Sequence, residues 1–266
     1  MVGDSQTMLD ARAHFFETGN YNPIADAVAS ATVQAIALRN VEPSTRQAAD
    51  ESDSRAMRLA ELGCGTGFYL HTAAHALTGA GAAVAPVAAD LSPFAVRMAV
   101  RAVPGAAGVV LDVWQPLPFL DESLDGILSV FAPRNLPEFA RTLRPDGCLI
   151  AVVPTTRHLQ EVRAEGLAIG IPDGKPDALT EAASPWFTEE ARTLVEFEME
   201  LAEPELDNVI GMGPSAHHSA STKGTDSGQP NDVSSHAAGE ETDETHAVRR
   251  VTASVTVLTY RLTPAG

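Results

Sequence analysis

Strand-like and helical stretches that alternate between Met57 and Pro154, a glycine-rich turn after the first of those strands and two late strand-like runs predict an α/β fold. The predicted architecture is a doubly wound, mostly parallel seven-stranded sheet with an N-terminal helical segment. Parallel neighbours need crossover connections, helices supply them, and the ligand crevice of such a sheet lies at the carboxyl ends of its strands.

Residues 5–37 read as helical, broken at Gly19, Asn20 and Pro23 of "HFFETGNYNP" into two helices. Residues 40–56 carry no apolar period and read as a linker. The first strand is Met57–Leu62, followed by a helix over Tyr69–Leu77 and the strand "AAVAPVAADL". Ser92 as N-cap and Pro93 at the first helical position open a helix over Pro93–Val103. The strand "GVVLDV", the strand "LDGILSVFAP", the helix "NLPEFARTLR" and the strand "CLIAVVP" complete the alternating part. A helix around His158–Leu167, the strand "RTLVEFEMEL", a short helix at "PELDNVI" and the alternating run "RRVTASVTVLTYRLT" suggest a closing antiparallel pair. The expected organisation is a helical segment with linker over 1–50, a core over 51–216, a disordered acidic insertion over 217–247 and a final strand over 248–266.

A chain of 266 residues with 44% hydrophobic residues can bury a sizeable core. No charge-free apolar run of about 18 residues occurs, and the N-terminus lacks the basic-then-apolar order of a signal peptide, so no membrane partner and a cytoplasmic location are expected. Cys64 and Cys148 are too few for a disulfide framework or a cysteine-rich metal site, and the histidines show no metal-binding spacing, so no metal is expected. The formal charge of −17 argues against a generally basic nucleic-acid surface, although part of the acid is concentrated in residues 217–247.

The turn "ELGCGTG" carries Gly63, Gly65 and Gly67 where a strand must reverse into a helix. A dinucleotide fingerprint would read GxGxxG, whereas here the spacing is GxGxG behind the acidic Glu61, which suits a cationic amino group better than a diphosphate. Asp90 ends the second strand, 27 positions after Gly63, where an acid can accept both hydroxyls of a ribose. A plain structural turn and a helix-start acid are the alternatives.

On these residues the chain resembles the class I S-adenosyl-L-methionine-dependent methyltransferases, which are Rossmann-like. The resemblance implies S-adenosyl-L-methionine as cofactor, held by Glu61, Gly63, Gly65, Thr66, Gly67 and Asp90, with Asp112 in the position that often accepts from the adenine amino group. Asp112 can equally be a solvated loop acid. "ARAHFFETGNYNPIADAV", "LPFLDESLDGILSVFAP", "PTTRHLQEV" and "MGPSAHH" are similar to stretches of the 23S ribosomal RNA guanine-N1 methyltransferases, a family that includes macrolide antibiotic-resistance enzymes. That likeness adds Tyr21 and His158 to the cofactor contacts, against the alternatives of an aromatic staple and a core or helix-cap histidine.

The implied reaction is attack of guanine N1 on the methyl carbon of a sulfonium, with ribosomal RNA as partner. Pro133 and Arg134 of "FAPRN" are the candidates on the target-base side, Arg134 alternatively being merely exposed, while Phe15 and Phe16 read as helix packing rather than as a base stack. N1 must lose a proton, and the sequence does not identify the base that takes it. The family's N-terminal zinc ribbon has no counterpart here; either the true start lies upstream or this branch has lost the ribbon and changed substrate. Small-molecule methylation and cofactor binding without RNA activity are therefore the alternative functions, and homodimer formation is left open. A basic stripe of Arg12, Arg39, Arg134, Arg157 and Arg163 beside the cofactor mouth would favour RNA, whereas a deep closed apolar pocket would favour a small substrate.

Overall fold

The computed structural model describes residues 3–36, 55–167, 174–212 and 248–263; the linker and the predicted acidic insertion lie outside the described residues. Seven strands form one sheet in the order β3-β2-β1-β4-β5-β7-β6, with β1 at Met57–Leu62, β2 at Val84–Asp90, β3 at Ala107–Val110, β4 at Leu124–Val130, β5 at Leu143–Pro154, β6 at Phe187–Leu201 and β7 at Arg249–Leu262. β1 pairs in parallel with β2 and β4, β2 with β3, and β4 with β5, while β7 runs antiparallel between β5 and β6. Chain order reverses between β1 and β4, which opens a crevice at the strands' carboxyl ends.

Strand residues alternate between two cores. Leu59, Leu128, Ile150 and Val152 face α1 (Gln6–Glu17), α2 (Asn22–Ile36), α3 (Phe68–Gly79) and α4 (Pro93–Ala102). Ala60, Leu62, Ile127, Leu149 and Val153 face α5 (Leu136–Thr142) and α7 (Lys175–Ala183) on the other side. Glu61 continues the Leu59 face, so the strand's period of two aims its carboxylate toward the helices of the first layer. Residues 251–260 of β7 are all buried, because both faces of that strand are covered. α6 (Gln160–Ala164) and α8 (Glu203–Gly211) complete the helices, and no helix among the described residues is long and apolar enough to cross a membrane.

The N-cap at Ser92 forms as expected: its hydroxyl accepts from the Ala95 amide at 3.5 Å. Several elements differ from the sequence reading: β5 and β6 begin five residues earlier than expected, at Leu143 and Phe187. β4 stops at Val130 because Phe131 turns to φ +53°, which leaves Pro133 and Arg134 beyond the strand. β3 stops at Val110, so Asp112 sits in the following turn, where its carboxylate accepts from the Trp114 amide at 3.0 Å. The helix expected over His158–Leu167 shrinks to α6, and His158 precedes it. α7 was not expected, since Ala183 is its one buried residue and no apolar period marks it.

Gly67 caps α3 at φ +83°, and a β-carbon there would stand 2.8 Å from the Ala99 Cα of α4. Gly81 has a similar φ of +88° with nothing within 4 Å. Gly81→Ala should therefore cost only the left-handed backbone strain, about 1–2 kcal/mol. Gly67→Ala should cost on the order of 1–3 kcal/mol more through the forced shift of α4, read as the difference between the two urea midpoints.

Candidate active site

Two carboxylates hold the turn between β1 and α3. Glu61 Oε2 accepts from the Leu70 amide at 3.1 Å, and Asp90 Oδ2 accepts from the Gly65 amide at 3.0 Å while its Oδ1 accepts from the Ser92 amide at 2.9 Å. The Gly63 and Cys64 amides donate to the Ala89 carbonyl at 2.8 and 3.0 Å, which ties the turn to β2. Gly63, at φ +84°, has no room for a β-carbon, which would meet Ala132 Cβ at 2.6 Å.

A cavity of about 570 Å³ opens above this turn, a size suited to a nucleoside-sized ligand. α1 and α8 roof it: Arg12 of α1 donates to Asp4 Oδ2 at 2.6 Å and to the Met212 carbonyl at 3.0 Å, which joins the chain's N-terminal segment to the end of α8. Ser92 Oγ donates to the Asp4 carbonyl at 2.9 Å and anchors the same segment over β2.

At the carboxylate end of the cavity the nearby cation, Arg12, is already paired with Asp4. Glu61 is only 1% exposed, and burial raises its pKa well above the ordinary carboxylate range despite the Leu70 hydrogen bond. Burial also raises Asp90, against the pull of its two amide donors. Burial pushes the Cys64 thiol up as well, so this cysteine is a packing residue rather than a nucleophile. The Tyr69 hydroxyl is buried in the cavity wall with no hydrogen-bond partner among the described residues. A ligand bearing a cation and hydrogen-bonding groups would answer all three deficits.

Farther along, His158 is buried, and its pKa falls to about 4 through desolvation and the charges of Arg163 and Lys175, so it is neutral at physiological pH. The Ser254 amide donates to Nδ1 at 3.2 Å, which forces the proton onto Nε2, and Nε2 lies 3.2 Å from the Tyr21 hydroxyl. Nε2 therefore donates and Tyr21 accepts, which leaves the phenol hydrogen for another acceptor. Phe131, 41% exposed at φ +53°, stacks on His158 with centroids 5.7 Å apart and planes 22° apart. A bulky side chain held at positive φ in a cavity wall is strain kept where a ligand can use it.

Tyr21, Glu61, Gly63, Gly65, Thr66, Asp90, Asp112, Pro133, Arg134 and His158 all line this one cavity. Gly67 does not, and its role is the close approach of α3 to α4. Phe15 is fully buried and Phe16 stacks on Phe68 at 4.4 Å, the packing role expected of that pair. The basic stripe that would favour RNA is not a free surface: Arg12 is paired with Asp4, Arg157 with Glu196 at 2.8 Å, Arg163 donates to the carbonyls of His158 and Thr156, and Arg39 lies outside the described residues. Sequence reasoning missed Tyr69, Phe131 and Lys175, and it named Arg12 only as part of a basic stripe, not as a partner of Asp4 and Met212. Phe131 had a signal in its place in "FAPRN" at a strand end, and Lys175 one in the helix start of Gly174, Pro176 and Asp177.

Residues 60–151 match a family model described as a methyltransferase domain. Over 217 residues the chain is 35% identical to a candidate 23S rRNA (guanine-N1)-methyltransferase of Micromonospora griseorubida, covering 82% of this chain and 71% of that one. Over 219 residues it is 33% identical to the 23S rRNA (guanine(748)-N1)-methyltransferase of Streptomyces fradiae, with the same coverages. The chain belongs to the 23S rRNA (guanine-N1)-methyltransferase family. It is an S-adenosylmethionine-dependent methyltransferase, and its cavity fits that cofactor. The buried Glu61 feels Arg12 but has no ion pair of its own, since Arg12 is paired with Asp4; the cofactor brings an ammonium and a sulfonium, and the unpartnered Tyr69 hydroxyl needs a polar atom.

The raised Glu61 carboxyl gives this methyltransferase a pH signature in the free protein. Its contribution to stability is fully present below the ordinary carboxylate range and is lost as pH rises through the raised native value. Glu61→Gln, which keeps an acceptor for the Leu70 amide, should gain on wild type by about 1.4 kcal/mol per pH unit inside that window. Denaturant unfolding of both proteins at a series of pH values from 5 to 8 measures the difference.

Proposed function

We propose that this methyltransferase transfers the methyl group of S-adenosylmethionine to N1 of a guanine in 23S ribosomal RNA. The observation that carries the reading is Phe131, an exposed aromatic ring held at positive φ in the cavity wall and stacked on a neutral histidine. Such a ring is a platform for a planar base extruded from its strand, and the relatives at 33–35% identity are named for a guanine acceptor.

When bound, the cofactor supplies an electrophilic methyl group on sulfur. Glu61 is assigned the ammonium, Asp90 the ribose hydroxyls, and Asp112 the adenine edge. The turn of Gly63, Gly65 and Thr66 lets the ligand approach the backbone. Tyr21, accepting from His158, directs its hydroxyl hydrogen toward the cofactor. The neutral His158 is locked by Ser254, so its lone pair is not free to take the N1 proton. Pro133 shapes the wall next to the base. These side chains work by alignment and exclusion of water. The reading carries with it the ribosome as partner, the cytoplasm as location and lowered macrolide sensitivity as phenotype. A small-molecule acceptor is the competing reading, favoured by the pairing of Arg12 and Arg157.

Labelled S-adenosylmethionine and ribosomal RNA from a strain lacking this gene test the proposal. Incorporation that maps to N1 of a single guanine is expected. No incorporation into RNA by the full-length protein, alongside normal cofactor affinity, refutes the RNA reading and leaves the small-molecule one. Phe131→Leu should lower kcat/KM for RNA by about tenfold through loss of stacking, about 1–3 kcal/mol per base, with the Kd for the cofactor changed less than twofold by calorimetry.

A further inference from the structure

Beyond β4, the cavity carries positive charge that no carboxylate answers. Arg134 is largely buried; its Nη2 donates to the carbonyls of Val152 at 2.9 Å and Ser129 at 3.5 Å, and its Nε has no partner. Lys175, the first residue of α7, lines the same cavity and is half-buried, with no hydrogen bond or ion pair among the described residues. The acid in the first turn of α7, Asp177, is taken by Arg192 at 2.5 Å.

Several other arginines have carboxylate partners: Arg12 with Asp4, Arg141 with Glu138, Arg157 with Glu196 and Arg192 with Glu189, while Arg163 of the same cavity is held by the carbonyls of His158 and Thr156. Burial takes Arg134 down to about 10, so it stays charged at neutral pH, and burial together with the Arg134 charge lowers Lys175. Two neighbouring cations partly withdrawn from water cost free energy unless an anion completes them. The acids at the other end do not serve: the cation acting on Glu61 and Asp90 is Arg12.

We propose that Arg134 and Lys175 form an anion site for a phosphodiester of the acceptor strand, next to the nucleotide whose base enters over Phe131. The inference rests on the RNA reading of the acceptor. The cofactor also carries an anion, its methionine carboxylate, but that group is one carbon away from the ammonium assigned to Glu61, whereas Arg134 follows β4 on the side toward β5. A phosphate accepts from several donors at once, and the unpartnered Arg134 Nε and the Lys175 ammonium supply them.

The test uses the full chain with S-adenosylhomocysteine bound and a guanine-containing RNA hairpin, comparing wild type, Lys175→Gln and Lys175→Arg at 50 to 200 mM salt. Lys175→Gln should bind RNA about five- to tenfold more weakly at the lowest salt, with a slope of log K against log salt shallower by roughly 0.7 to 1. Lys175→Arg should retain most of the affinity, and the Kd for S-adenosylmethionine should stay within twofold in both variants. Unchanged RNA affinity and slope overturn the site. Weakened cofactor binding also overturns it, because it assigns the cations to the cofactor's carboxylate. Guanosine 5′-monophosphate and guanosine, titrated in parallel, separate this site from the RNA reading. Wild type should prefer the nucleotide several-fold and Lys175→Gln should not; equal affinities in wild type overturn the anion site even if ribosomal RNA is methylated. A wild type that binds no RNA refutes the functional reading, and the nucleotide preference then decides on the cations alone.

Discussion

The site depends on a pair of carboxylate-to-amide clamps. Glu61 holds the first turn of α3 through Leu70, and Asp90 holds Gly65 from the neighbouring strand, so the turn between β1 and α3 is fixed from both sides. Each clamp occupies part of a carboxylate and leaves the rest of its lone pairs to face the cavity. The fold thus withdraws two acids from water for local structure, at a cost visible in their raised pKa values, and the cost is offset when a cationic, hydroxyl-bearing ligand arrives. Anything that loosened the turn would unmake both functions together.

The polarity of the cavity follows from the sheet order. β2 ends in Asp90 and β1 carries Glu61 one residue before its end, whereas the chain leaving β4 and the start of α7 bring Arg134 and Lys175, so negative and positive charge are separated along the strand ends. Between them lies a neutral, largely aromatic zone of Tyr21, Tyr69, Phe131 and His158. A neutral middle is what a sulfonium-to-nitrogen transfer needs, since a fixed charge there would solvate one reactant at the expense of the other. Burial keeps His158 neutral, and Ser254 of β7 fixes its tautomer by donating to Nδ1, which makes the late antiparallel strand part of the site although it is remote in sequence.

How much of this was legible in the sequence depends on whether a residue's role is set by its own strand or by a distant one. Glu61 and Asp90 could be placed because each ends a strand whose apolar run is unmistakable, and Tyr21 and His158 because their neighbours resemble a family. Phe131 escaped because nothing in a sequence shows that a phenylalanine will sit at positive φ. Arg12 was placed beside the cofactor mouth, but its pairing was not legible because its partners are Asp4 and the carbonyl of Met212, the latter 200 positions away. Lys175 escaped because α7 buries only Ala183 and shows no period, although Gly174, Pro176 and Asp177 spell an ordinary helix start. Gly67 was read as a ligand contact because glycine's two uses, room for a ligand and room for a neighbouring helix, look the same in one dimension.

The net charge of −17 is compatible with a polyanionic acceptor once the acids are located. Asp226, Asp232, Glu240, Glu241, Asp243 and Glu244 fall in one polar stretch against the single Lys223. Glu190, Glu196, Glu198 and Glu200 stand exposed on β6, the edge strand, where charge protects the open side of a fifteen-residue strand, paired only with β7, from pairing with another chain. Those acids serve solubility and edge protection, and screening at physiological salt confines their field to about 8 Å. On the RNA reading, a strand entering the cavity responds to the charges that line it, and those beyond the carboxylate end are Arg134, Lys175 and Arg163, of which Arg163 is held by the carbonyls of His158 and Thr156.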